Sequence, residues 1–348
     1  MKAPVFQLYA NCIPVKGARR SILCDLQSGV TKLIPNSLFS LLSDYSNQAV
    51  EEIKAAHEHQ FDEEIDEYFA FLVEQGWGFM TEQPALFPPI ELGYQVPELI
   101  THAIIDSDAS SDHDFLQLID QLEELGCKHF QFRFYDPIPL EKLKQIAAIG
   151  DGRQLRGMEL MVPYGPDYAN EDAVRQLCKD HPRIICLFIT GAEKNRVLHA
   201  SESVENMGVI SYWKQAIDSQ QCCGVIDKQY FVVSMSAFTE AKNFNSCLNR
   251  KMSVDTCGEI RNCPSMHNSF GNTANTTLRE ALFSDGFQAV WSVTKDHVNI
   301  CKDCEYRYVC SDCRAFTQDD DPLGKPAGCN YDPFTATWGE QQQAPLAV

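Results

Sequence analysis

Hydrophobic and polar positions fall into two kinds of pattern along this chain. Near the N-terminus, Val5 to Tyr9, Ser21 to Leu26 and Val30 to Leu33 are short apolar–polar stretches. Lys16-Gly17 and Ser28-Gly29 part them, which predicts strands joined by tight turns. Pro35-Asn-Ser-Leu-Phe-Ser-Leu-Leu opens a helix with proline in its first turn. Glu51 to Gln60 and Glu63 to Gln75 follow with helical spacing, and Ile65, Tyr68, Phe69 and Leu72 share one face of the second. Three strands and then three helices mark residues 1–83 as a small unit, followed by a Pro-rich linker over 84–97.

Beyond the linker the pattern alternates. Ile100 to Asp106, Phe130 to Tyr135, Met158 to Val162 and Ile184 to Thr190 predict strands. Asp114 to Gly126 (apolar at Phe115, Leu118, Ile119, Leu122 and Leu125), Leu140 to Ile149 and Asn170 to Asp180 predict helices between them. Such alternation defines an α/β fold with a parallel sheet and crossover helices, here an incomplete α/β barrel over 98–240. His102, His113, His129, His181 and His199 are scattered along it without triad or metal spacing. Walker and Gly-x-Gly-x-x-Gly segments are absent, so the sequence offers no phosphate cradle.

A chain of 348 residues has room for two or three domains with their own cores. Its net charge of −19 opposes binding to nucleic acid phosphates. The sequence has no run of eighteen apolar residues, so no membrane span is expected. Met1-Lys-Ala-Pro-Val-Phe-Gln-Leu lacks the pattern of a signal peptide. With 15 cysteines, the expectation is a cytoplasmic protein whose thiols stay reduced and serve metal chemistry.

Those cysteines are densest at Cys301-Lys-Asp-Cys304-Glu-Tyr-Arg-Tyr-Val-Cys310-Ser-Asp-Cys313. Upstream, Cys247 is followed by ten residues, Gly258, four residues and Cys263; Cys329 lies downstream. Four thiolates hold an iron–sulfur cubane or a structural zinc ion, and both remain open. Only five residues separate Cys304 from Cys310, which favours a compact cluster loop over two zinc knuckles.

The order C-x10-G-x4-C, gap, C-x2-C-x5-C-x2-C, gap, C resembles the SPASM domain of peptide-modifying radical-SAM enzymes, which carries two auxiliary 4Fe–4S clusters. The resemblance implies that Cys301, Cys304, Cys310 and Cys329 hold one cluster. Cys247, Cys263 and Cys313 would serve the other, with Cys257, Cys222 or Cys223 as candidates for its fourth ligand. One departure is specific: two residues, Ser311 and Asp312, separate the last two clustered cysteines where the family has three.

No Cys-x3-Cys-x2-Cys triplet occurs, so reductive cleavage of S-adenosylmethionine is not expected and no site for it is assigned. The loop Asp106 to Asp114, where such barrels carry the triplet, has no thiol, and Tyr135 and Asp136 replace a glycine and glutamate of the family's methionine-binding strand end. The barrel therefore reads as a degenerate radical-SAM-like one over 98–240, followed by a SPASM domain over 241–338 and a disordered tail over 339–348.

Residues 1–83 resemble the winged-helix domain that binds leader peptides in ribosomal peptide pathways. A winged helix used for packing or for reading DNA is the plainer alternative, and the acidic run from Glu51 to Glu67 weakens its DNA branch. The segments Cys247-Leu-Asn-Arg-Lys-Met-Ser-Val-Asp, Gly258-Glu-Ile-Arg-Asn-Cys263-Pro-Ser-Met266 and Cys304 to Phe316 resemble the SPASM-domain peptide maturases of grasp-with-spasm systems. That likeness implies a maturation factor that binds a precursor's leader and works with an ATP-grasp ligase. The alternative is a SAM-independent redox enzyme acting through its clusters, and whether the chain is an enzyme stays open. Arg307 and Arg314 are expected either to balance cluster charge or to pair with Asp303 and Asp312.

Overall fold

The structure, a computed structural model, describes residues 3–200 and 208–339; of the expected tail, only Gly339 lies within them. Two compact units divide the chain. The first runs through Tyr94 and includes Ile226–Ser246 and the segment from Val293 onward; the second comprises Gln95–Val225 and Cys247–Ser292.

In the first unit, β1 (Val5–Leu8), β2 (Cys12–Val15), β3 (Ser21–Asp25) and β4 (Val30–Ile34) precede α1 (Asn36–Asp44), α2 (Val50–Ala56), α3 (Asp62–Glu74) and β5 (Gly78–Thr81). β2, β3 and β4 form an antiparallel sheet with β3 in the centre, and β1 pairs with β5. The sequence pattern predicted β1, β3, β4 and the three helices. It missed β2, which contains Pro14; a residue without a backbone N–H fits an edge strand, the place β2 takes. β5 is four residues long and follows α3 closely, too short for a clear alternation.

Alternate side chains of β3 enter different cores. Leu23 joins Phe6, Ile34, Leu38, Ile53, Phe69 and Leu72 beneath the helices. Ile22 and Cys24 point the other way and join Phe238 together with Tyr306, Val309 and Cys310 of the cysteine-rich segment and Tyr331 beyond it. Burial on both faces makes β3 a continuous apolar run, and each large side chain so buried contributes roughly 1.5–3 kcal/mol. β4 is an open edge by contrast, with Val30 49% and Leu33 45% exposed.

The β2–β3 turn is tied to the cysteine-rich segment by Ala18 N donating to Asp303 O at 2.7 Å. A Cβ at Gly17 would stand 2.5 Å from Arg20 O and 2.9 Å from Glu305 Cβ, so this turn can approach closely only with glycine.

The second unit is a mixed α/β structure. Its elements are β6 (His102–Ser107), α4 (Phe115–Glu124), β7 (His129–Phe134), α5 (Leu140–Ile149), β8 (Gly157–Pro163), α6 (Pro166–Ala169), α7 (Glu171–Asp180), β9 (Ile184–Thr190), β10 (Arg196–His199), β11 (Val209–Trp213), β12 (Lys251–Val254) and β13 (Ile260–Arg261). The eight strands make one sheet in the order β10-β11-β9-β8-β7-β6-β12-β13, parallel except where β10 and β13 join it. Parallel alternation thus extends past the four strands predicted. β10 and β13 are different strands at the two edges, so the sheet is open rather than closed on itself.

One face of this sheet is apolar. Ala103, Ile105, Phe130, Phe132, Leu160 and Leu187 pack with Leu118, Leu122, Leu143, Ile146 and Leu177 of the helices. Alternate residues point to the other face, where Gln131 donates to Glu159 at 2.8 Å and the rings of His102 and His129 stack with centroids 5.5 Å apart. Asp106 and Arg133 pair in register at the C-terminal ends of β6 and β7.

Candidate metal centre

The densest thiols lie in the first unit. Cys301 begins a single 3-10 turn, Cys301–Asp303, and Cys304 N closes it by donating to Cys301 O at 3.0 Å. Ile300, just before, holds a φ of 66°, a left-handed conformation that β-branched residues rarely adopt. Cys310 N donates to Tyr306 O at 3.0 Å and Cys329 N to Pro326 O at 3.0 Å. Cys301 and Cys310 are buried, while Cys304 and Cys329 are partly so.

These four sulfurs share one electrostatic neighbourhood. Burial pushes the Cys301 thiol up to about 11, against Lys295 and with Cys310 and Cys329. Burial likewise raises Cys304, with Cys310 and Cys301 adding to it, and raises Cys310, with Cys329 adding to it. Thiols in such surroundings stay protonated until a cation draws the proton off, as metal coordination does.

A cation is already present. Lys295 Nζ donates to Cys310 Sγ at 3.3 Å and stands 3.8 Å from Asp312 Oδ1. Asp312 also pairs with Arg314 at 2.8 Å and accepts from Asn245 at 2.6 Å. The side chains of Lys295, Arg314 and Asp312 are 5%, 4% and 0% exposed, so two buried cations share one buried carboxylate. An uncompensated buried charge costs several kcal/mol. Cys310, were a metal to draw off its proton, would supply the missing negative charge, so the donor set fits a thiolate-bound metal group.

Arg314 pairs with Asp312, one of the two pairings expected of it. Arg307 instead reaches Asp296 at 2.9 Å rather than Asp303. Asp303 lies within the 3-10 turn and uses its backbone carbonyl to accept from Ala18.

The second unit holds Cys247 and Cys263. Lys251, the first residue of β12, donates from Nζ to Cys247 Sγ at 3.7 Å. Burial opposes the charge on its ammonium, yet Cys247, Cys263 and Cys223 outweigh burial and hold the Lys251 pKa above its ordinary value. Gly258, the glycine of the C-x10-G-x4-C spacing, has a φ of 83°, and a Cβ there would meet Thr273 Oγ1 at 2.8 Å. Both the conformation and the close approach require glycine in this turn.

The three candidates for an eighth ligand separate. Cys257 is exposed in the turn beside Gly258. Cys222 ends a 3-10 turn and is within electrostatic reach of Tyr135, and Cys223 of Arg133 and Lys251. Cys313 is buried and belongs to the first unit. Among the described residues, no three or more His, Cys, Asp or Glu side chains are drawn together closely enough to hold a single metal ion.

Where the resemblance looked for a cluster-binding loop, β6 and β7 end in an ion pair. Arg133 donates to Asp106 at 2.6 and 2.7 Å, and Tyr135 Oη donates to Asp106 at 2.8 Å. Both members of the pair are buried. Burial opposes the guanidinium charge, but Asp106 more than offsets it and raises the Arg133 pKa. Lys251, Lys295 and this pair were missed in the sequence. Lysine and arginine recur throughout the chain, and only tertiary contacts single these out.

No family model matches the chain, and no curated protein matches it. Among solved structures it aligns with the crystal structure of Streptococcus suis SuiB at 10% identity and a TM-score of 0.31, over 94% of this chain and 99% of that one. SuiB bound to S-adenosylmethionine aligns at 9% identity and a TM-score of 0.29, over 94% and 98%. At that similarity neither alignment carries functional weight. Among the described residues, no helix is long and apolar enough to cross a membrane.

Proposed function

We propose that this chain is a maturation factor for a ribosomally synthesised peptide, one that binds the precursor's leader and carries metal–thiolate clusters without SAM radical chemistry. The observation that carries the reading is the buried charge around Asp312, where Lys295 and Arg314 exceed the carboxylate and Lys295 donates to Cys310 Sγ. Cys301, Cys304, Cys310 and Cys329 would hold one 4Fe–4S cluster, and Cys247 and Cys263 would serve a second. When bound, such clusters supply electron transfer or a fixed anionic scaffold. The chain's own residues hold the thiols in place and balance their charge. Iron–sulfur is preferred to zinc because only five residues separate Cys304 from Cys310, a compact loop rather than two zinc knuckles.

Leader recognition is assigned to the open edge of β4, in the manner of a winged-helix peptide-binding domain. An extended peptide adds to such an edge through main-chain hydrogen bonds and takes specificity from flanking side chains. Val30 and Leu33 are exposed along β4, and Lys32 Nζ lies 5.1 Å from the ring centroid of Phe71 on α3, so the helix stands beside this strand. An ATP-grasp ligase is the proposed partner.

Anaerobic purification with iron, sulfide and zinc analysis tests the cluster reading. About eight irons and eight sulfides per chain are expected for two cubanes. Stoichiometric zinc without iron would overturn it.

A further inference from the structure

We propose that a groove between α2, α3 and β5 docks a basic, apolar segment of a partner protein. This surface is separate from the thiol sites and from the β4 edge assigned to the leader.

The groove lies within the first unit and has a volume of about 510 Å³, inside the range of roughly 300–1,000 Å³ found for clefts that hold ligands. Phe69, buried and stacked on Phe6 with ring centroids 4.9 Å apart, fixes its floor. Val50 and Ala70 line it, and Val73 and Met80 are each 40% exposed there. Asp66, Ala70, Val73 and Glu74 stand at i, i+4, i+7 and i+8, a single face of α3. Tyr68 and Phe71 lie on another face, where Tyr68 meets Ser37 at 3.0 Å and Lys32 approaches Phe71. The groove and the β4 edge thus use different faces of one helix.

Charge defines the occupant. Glu51, Asp66 and Glu74 rim the groove. Among the described residues only Lys54 pairs with them, 3.2 Å from Glu51 and 2.8 Å from Asp66, so three carboxylates face one ammonium. Glu74 ends α3, whose last turn carries no basic residue. A carboxylate there meets the negative end of the helix dipole, so the fold gains nothing from its charge. A cation supplied from outside relieves that repulsion. Residues 50–74 extend the same field, with nine carboxylates and one lysine. Such a field repels nucleic acid and anionic lipid and attracts a cationic polypeptide. Apolar walls under an acidic rim suit an amphipathic segment whose apolar side chains enter while its lysines or arginines meet the rim.

The test titrates the full-length chain with two labelled peptides, one of leucine and lysine in amphipathic order, the other of leucine and glutamate. Fluorescence anisotropy near physiological ionic strength reads affinity, and circular dichroism checks folding. The parent should bind the lysine peptide and not the glutamate one. Glu74→Lys, which suits a helix end, should weaken binding at least about fivefold, since attraction becomes repulsion. Val73→Ser with Met80→Ser should weaken it about tenfold through lost apolar burial. Glu124→Lys makes the same charge change at an exposed position of α4 in the second unit and should keep the parent's affinity. Iron content should be the same in every variant. A parent that does not bind the lysine peptide overturns the proposal. Equal weakening by Glu124→Lys also overturns it, because the net charge of −19 alone would then explain the attraction. Parent-like affinity in a folded Val73→Ser, Met80→Ser variant does the same. Should that variant fail to fold, the contrast between Glu74→Lys and Glu124→Lys decides.

Discussion

Arg20 and Glu305 are separated by 285 positions in the chain and joined by a 2.8 Å ion pair. Glu305 is fully buried between Cys304 and Tyr306, and Tyr331 Oη donates to the same carboxylate oxygen that Arg20 reaches. The β2–β3 turn therefore neutralises a carboxylate inside the cysteine loop. Arg20→Met should destabilise the protein by about 2–3 kcal/mol, because it leaves a buried charge with a tyrosine for its main donor. Urea denaturation measures this. Arg20→Met combined with Glu305→Gln should recover most of the loss; failure to recover would mean that Arg20 acts through packing alone.

Cys304→Ala or Cys310→Ala should each remove about four of about eight irons, one cubane's content. Full iron retention in either variant would break the assignment of Cys301, Cys304, Cys310 and Cys329 to one cluster.

Lys295→Met removes one of the two cations that share Asp312. In an iron-loaded protein the midpoint potential of that cluster should fall while the iron count holds. In metal-free protein the same change relieves the excess charge, so its melting temperature should rise or stay level. A marked loss of metal-free stability would contradict the charge count.

Val30→Asp with Leu33→Asp places two carboxylates on the open edge of β4, where both residues are exposed. Leader affinity, measured by fluorescence anisotropy on the full chain, should drop at least about tenfold, equivalent to about 1.4 kcal/mol. Iron content should be unchanged. Unaltered affinity would remove β4 as the recognition edge.

Asp25 supplies a pH-dependent term. Burial pulls its carboxyl upward, but hydrogen bonds from Ser28, Gln27 and Asn11 outweigh burial and hold it below the usual carboxylate range. Its stabilising contribution is thus complete above the unfolded carboxylate value, about pH 3.9, and is lost as pH falls through the lower folded value. Asp25→Asn should cost about 1 kcal/mol near pH 7 and converge with the parent in strong acid. Denaturation series at pH 7 and pH 2.5 distinguish this from a pH-independent defect.

Much of the fold was legible because local periodicity dictated it. Leu118, Ile119 and Leu122 recur at helical spacing and do pack on the sheet, and Phe130 to Phe134 alternate as a strand does. β12 and β13 were not legible: Lys251 to Val254 and Ile260-Arg261 are short and become strands only by pairing with β6 and with each other. The cysteine spacing named the thiols, but charge balance was hidden. Lys295 lies fifteen positions before Cys310, and nothing in that separation foretells a 3.3 Å contact. Arg307 shows the same limit, since Asp296, eleven positions away, wins it over Asp303, four positions away, through tertiary placement.

The two-sided burial of β3 bears on how such a chain can be recombined. A crossover near residue 83 would carry Ile22 and Cys24 away from Phe238, Tyr306 and Val309, exposing apolar surface on both fragments. Gene fusions that borrow only the N-terminal segment as a portable peptide-binding tag should therefore express as aggregating protein. A graft that also brings Ile226–Ser246 and the stretch after Val293 keeps both cores whole.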